Sequence, residues 1–113
     1  MSVQIINLRT QQHYDFRCDR KSPVGNPYIM HNESERGLVC EKYERLFDQT
    51  MTDDTLPDTK EIPGTSFTVK EFRDYIHRIE KHYATHGTVT LACWCSPQQC
   101  HCETIREWLT NPW

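Results

Sequence analysis

The sequence predicts an α/β fold: a small single-domain layered architecture with a mostly parallel, Rossmann-like sheet. Three observations predict it. Two short runs dense in Val, Ile, Leu and Cys, SVQIINLR and TVTLACWC, read as buried strands. Between and after them, apolar residues recur at helical spacing. The resulting order of strand, helix, helix, strand, helix needs crossovers between strands, which makes neighbouring strands parallel. The 113 residues suffice for one domain over 1–113 and not for two.

The first strand is expected over Ser2–Arg9. A polar stretch follows whose Ser-Pro and Gly-Asn-Pro steps mark turns, and its Tyr14–Cys18 portion can add a short strand. In NESERGLVCEKYERLFDQT, Asn32 or Ser34 can cap a helix. Val39, Tyr43, Leu46 and Phe47 supply its apolar face, with Cys40 as a neighbouring packing residue. The segment at about 49–66 is acidic and broken by Pro57, Pro63 and Gly64, so an exposed loop is expected there. The clearest helix is TVKEFRDYIHRIEKHYATHG. Thr68 and Glu71 have the spacing of a capping box. Val69, Phe72, Ile76, Ile79 and Tyr83 share a stripe, and Gly87 supplies the stop. His77, His82 and His86 on this helix read as solvated. The last helix is expected to start at Pro97, capped by Ser96 and boxed by Gln99.

The formal net charge of −3 argues against a dedicated nucleic-acid binder, although Arg17, Arg20 and Lys21 crowd one short segment. No run of residues approaches a membrane span. The N-terminus lacks the pattern of a signal peptide, so a reducing cytoplasm is expected, where disulfides are rare.

LACWCSPQQCHCE holds four of the six cysteines. Strand alternation puts Cys93 in line with core positions and Cys95 last in that row. A helix starting at Pro97 would splay Cys100, His101 and Cys102 apart, with Cys102 on the core face. Ligand crevices in open α/β sheets lie beyond the carboxyl ends of the strands. Asn7 and Arg9 end one strand there, and Cys95 and Ser96 the other. Cys100, in a first helical turn beside His101, would gain from the helix dipole as a thiolate. The amides of that turn can hold an anion, with Arg9 and Arg20 giving bidentate contacts. Two alternatives stand beside this reading. One is zinc held by some of Cys93, Cys95, Cys100, His101 and Cys102. The other treats the cysteines as small buried hydrophobes.

VQIINLR, CDRKSPVGNPY, HNESERGLVCEKYERLF and LACWCSPQQCHCETI, in this order, resemble the domain-of-unknown-function family numbered 4326, found in bacteria and their phages. The resemblance implies a small α/β domain and a site at Asn7, Arg9, Arg20, Gly25, Asn26, Pro27, Cys93, Cys95, Cys100 and His101. That family usually has glycine where this chain has Cys102, which sets Cys102 aside as a ligand. The family has no established activity.

The expectation is therefore a site that binds or processes a small anionic metabolite such as a nucleotide or nucleoside derivative. Cys100, His101 and Cys95 would be its reactive set, and Asn7, Arg9, Arg20, Gly25, Asn26 and Ser96 its binding set. A zinc-binding interaction module is the first alternative. A non-enzymatic phage protein that binds a host partner through the acidic loop and exposed aromatics is the second.

Overall fold

The computed structural model describes residues 2–95 and 100–111. Three parallel strands, β1 (Ser2–Asn7), β2 (Phe16–Arg17) and β3 (Thr88–Cys93), form one sheet in the order β1-β3-β2. Helices α1 (Arg36–Thr52), α2 (Val69–His86) and α3 (Cys102–Thr110) complete the α/β fold. The parallel crossovers are as expected. The three described strands make a smaller sheet than the six-stranded Rossmann arrangement.

Position in the sheet explains which strand is buried. β3 pairs on both sides, from Ser2↔Thr88 to Asn7↔Cys93 with β1, and at Phe16↔Leu91 and Arg17↔Ala92 with β2. Val89, Leu91, Ala92 and Cys93 are accordingly all buried. β1 was expected to be a buried strand running to Arg9. It is an edge strand ending at Asn7, with buried and exposed positions mixed and Ile6 alone fully in the core.

The core forms between this sheet and the helices. Thr68 and Glu71 make the expected reciprocal capping box, and Gly87 ends α2 at φ 75°. Phe72, Ile76, Ile79 and Tyr83 face inward, against Tyr43 and Phe47 of α1. Before α1, the Asn32 side chain accepts from the Ser34 amide and caps a 3-10 turn, Glu33–Glu35, that runs into the helix.

The stretch at 49–66 is not a plain exposed loop. Its first four residues finish α1, and Thr50 and Ile62 are buried. The Ile62 amide donates to the Phe67 carbonyl, the Val69 amide to Lys60, and Glu61 bridges Thr68 in antiparallel fashion. The Arg73 guanidinium donates to the carbonyls of Thr50 and Asp53. Most of the segment is exposed, as its acidic composition predicted, and these backbone bonds tie it down. Among the described residues no helix is long and apolar enough to cross a membrane.

Candidate functional site: a cationic cleft above a sulfur cluster

β2 is only two residues long, and the chain leaves the sheet right after it. The gap beyond the carboxyl ends of β2 and β3 is a cleft of about 500 Å³. Residues 19–21, 26 and 28–30 form one wall, the start of α1 another, and Trp94, Cys95, Cys100 and His101 the floor.

The wall is built by close backbone approach. Gly25 is buried, and a Cβ there would sit 2.4 Å from the Asp19 carbonyl oxygen and 2.6 Å from the Arg20 Cα. Gly25 therefore lets the turn close on itself. The Arg20 Nε and Nη2 donate to the carbonyls of Asn26 and Tyr28 at 3.1 and 3.2 Å, clasping the loop. Asn26 donates to the Val39 carbonyl and accepts from the Tyr28 amide, which ties the loop to α1. Tyr43 fixes the same turn from below through its hydroxyl, which donates to the Val24 carbonyl at 2.7 Å.

Three cations line the cleft: Arg20, Lys21 and Arg36. Arg36 holds Glu33 through two hydrogen bonds and also reaches Cys95. Asp19 is the acid among the lining residues. It takes two bonds of 2.7 Å from Arg17 and one of 3.0 Å from the Trp94 indole. Burial would raise its pKa, but these donors outweigh burial and hold it below the usual 3.8. Tyr28, Ile29, Met30 and Val39 give the cleft an apolar side. Trp94 is 49% exposed at its edge.

The thiols divide in two. Cys95 is half-buried and lines the cleft. The Cys100 thiol donates to it and Arg36 supports it; together they overcome burial and bring its pKa down to about 6. Cys100 itself is 3% exposed. The Cys102 thiol favours its ionised form, yet its contacts with Cys93 and Cys95, together with burial, push its pKa far up. His101 is 7% exposed, and burial lowers its pKa. Its Nε2 bonds the Cys18 carbonyl, and its Nδ1 is 3.5 Å from the Cys100 sulfur. The expected reactive pair Cys100–His101 thus lies in the cleft floor, and the half-buried thiols that line the space are Cys95 and Cys40.

Several expected positions belong elsewhere. Asn7 closes the end of β1: its Oδ1 accepts from the Arg9 amide and its Nδ2 donates to the Trp94 carbonyl. Neither Asn7 nor the exposed Arg9 lines the cleft. Gly25 and Asn26 are wall builders, and Asn26 also lines the cleft, as Arg20 does. Pro27 packs behind the wall, 3.2 Å from where a Cβ on Gly64 would sit. Ser96 lies outside the described residues, as do Pro97 and Gln99.

The expected helix start is also corrected. α3 begins at Cys102, and the Glu103 carboxylate accepts the Cys100 amide at 2.8 Å. That acid occupies a helix-start amide expected to hold an anion, so in this cleft side chains supply the positive charge. Because residue 100 precedes the helix, its side chain is not splayed from that of Cys102. The sulfurs of Cys93, Cys100 and Cys102 lie within 4.8 Å of one another, a buried group that could hold a metal. Cys102, set aside as a ligand from the sequence, is inside this group. Cys95 and His101, expected among the zinc ligands, border it.

Sequence reasoning missed Arg36, Asp19, Trp94 and Cys40 as cleft residues. An apolar Trp at the end of a predicted strand was the available signal for Trp94. Nothing local marks Arg36, which only the tertiary fold brings to Cys95.

No curated protein and no solved structure shows a significant match to this chain. The family model described as "Domain of unknown function (DUF4326)" matches residues 4–111, nearly the whole chain that builds this sheet, cleft and sulfur cluster, and the protein belongs to that family.

Proposed function

We propose that the protein binds a small anionic metabolite with a flat apolar part, such as a nucleotide or nucleoside derivative, in the cleft beyond β2 and β3. The observation that supports this best is the cleft's charge: Arg20 and Lys21 line it beside the Glu33-paired Arg36, and its lining acid, Asp19, is held by Arg17. Low-dielectric walls concentrate such a field and raise the local concentration of an anion. Arg20 is clasped but has further N–H groups for a bidentate contact, and Lys21 adds a point charge. Tyr28 and the half-exposed Trp94 offer ring faces for a planar group. An exposed indole beside an apolar patch fits a surface covered by a ligand.

Cys95 would meet the bound molecule as a thiolate near neutral pH. In this reading Cys95 is the thiol that meets the ligand, held from the floor by Cys100 and from the wall by Arg36. The smaller groove between α1 and α3, of about 360 Å³, suits an anion poorly, because Glu41, Glu44, Asp48 and Glu107 line it.

The test is a thermal-shift screen of nucleotides, nucleosides and sugar phosphates, followed by titration of each hit against Trp94→Phe and Lys21→Gln. Hits should raise the melting temperature of the parent chain, and each substitution should weaken them. A flat screen across all three classes rejects the reading.

A further inference from the structure

The cysteines beneath the cleft floor are packed in a way that burial alone does not require. Cys93 ends β3, while Cys100 and Cys102 flank His101 at the entry to α3. Their three sulfurs lie within 4.8 Å of one another, and the Cys93–Cys100 separation is 2.8 Å. All three residues are at most 3% exposed. A buried cysteine usually acts as a small hydrophobe against carbon. Here three thiols, weak donors and weak acceptors, face each other instead.

His101 borders this group without joining it: its Nδ1 stands 3.5 Å from the Cys100 sulfur, while only the three sulfurs lie mutually within 4.8 Å. Its Nε2 faces the Cys18 carbonyl, which holds the ring at the group's edge. The Cys18 thiol meets the Phe16 carbonyl at 3.8 Å and also contacts Cys102.

From this geometry we infer that Cys93, Cys100 and Cys102 form a buried site for a thiophilic divalent cation, zinc above all. Three thiolates leave one net negative charge around the ion, less than four would leave in a dry interior. The site is closed to solvent, so the metal would be structural. It would pin the end of β3 to the start of α3, directly under the cleft. Loading would release the thiol protons to solvent, with no change of oxidation state.

Zinc is measured first on the unaltered protein, purified without added metal and dialysed against a weak chelator. About one equivalent is expected, and less than about a tenth of an equivalent overturns the proposal. Cobalt(II) added to metal-stripped protein should give the visible bands of a tetrahedral thiolate site. A six-coordinate spectrum overturns it as well. Cys93→Ala and Cys102→Ala should each cut zinc affinity by at least tenfold, whereas His77→Gln, exposed on α2, should leave stoichiometry at one. Unchanged affinity in both cysteine variants overturns the assignment. A metal-free protein whose mass is two hydrogens lower than the reduced chain would show a disulfide instead. None of these readouts uses the cleft ligand, so a flat metabolite screen leaves the metal result standing.

Discussion

The two flanks of β3 end differently. On the β1 side the chain is sealed: the Leu8 amide donates to the Cys93 carbonyl, and Asn7 bonds both the Arg9 amide and the Trp94 carbonyl. On the β2 side pairing stops at Arg17, and the Cys18 amide makes one last bond to Ala92. The chain then turns away and the cleft opens. The same central strand thus carries a closed corner and an open one. Where backbone hydrogen bonds continue, a polar side chain is consumed in closing the turn. Where they stop early, Arg20, Lys21 and Arg36 line the cleft that opens there.

The strongest way to break this contrast is to spoil the open flank's wall. Gly25→Ala forces a Cβ into the Asp19 carbonyl. It should destabilise the protein by about 3 kcal/mol, read from urea unfolding. An unchanged midpoint would mean that the wall yields easily.

Asp19→Asn comes next, at about 2 kcal/mol near neutral pH, for the lost charged bonds to Arg17 and Trp94. The folded carboxyl titrates below its ordinary 3.8. Its stabilisation is therefore full above that value and is lost as pH falls through the folded pKa. The deficit of the variant should shrink as melts are run at pH values falling progressively below 3.8. A deficit constant with pH would assign the effect to shape rather than charge.

Arg36→Gln sharpens the contrast at Cys95. With the cation gone, the pH midpoint of Cys95 alkylation should rise above about 6. A rise of one unit slows the reaction at pH 6 about fivefold, followed by peptide mass spectrometry.

The smallest effect is expected on the closed flank. Arg9→Ala should change the affinity of any ligand found in the screen by less than about twofold, since an exposed arginine away from the site contributes little. A tenfold loss, seen by calorimetry, would extend the site across to β1.

The fold was legible wherever a signal was local. The Thr68–Glu71 box, the α2 stripe and Gly87 are read within one helix, and all three hold. The edge position of β1 was not legible, because strand order depends on which partner lies beyond β3. The site was half legible. Arg20, Asn26, Cys95, Cys100 and His101 do gather at one place, yet their roles differ from those expected. Asn26 and Gly25 shape the wall, and Arg20 clasps it. The start of α3 decided the sulfur chemistry, and Ser96-Pro97 offered a stronger local signal than the Glu103 carboxylate that caps Cys100. Periodicity counted from Pro97 then sent Cys100 and Cys102 to opposite sides, whereas beginning at Cys102 brings them together.

The Arg20 clasp has a consequence for the speed of recognition. Its two bonds to carbonyls six and eight residues ahead hold the loop in shape in the free protein. A ligand entering the cleft would then have little chain to order and little entropy to surrender. Capture should proceed as a single rapid phase whose rate rises linearly with ligand concentration, and affinity should reside in how slowly the complex comes apart.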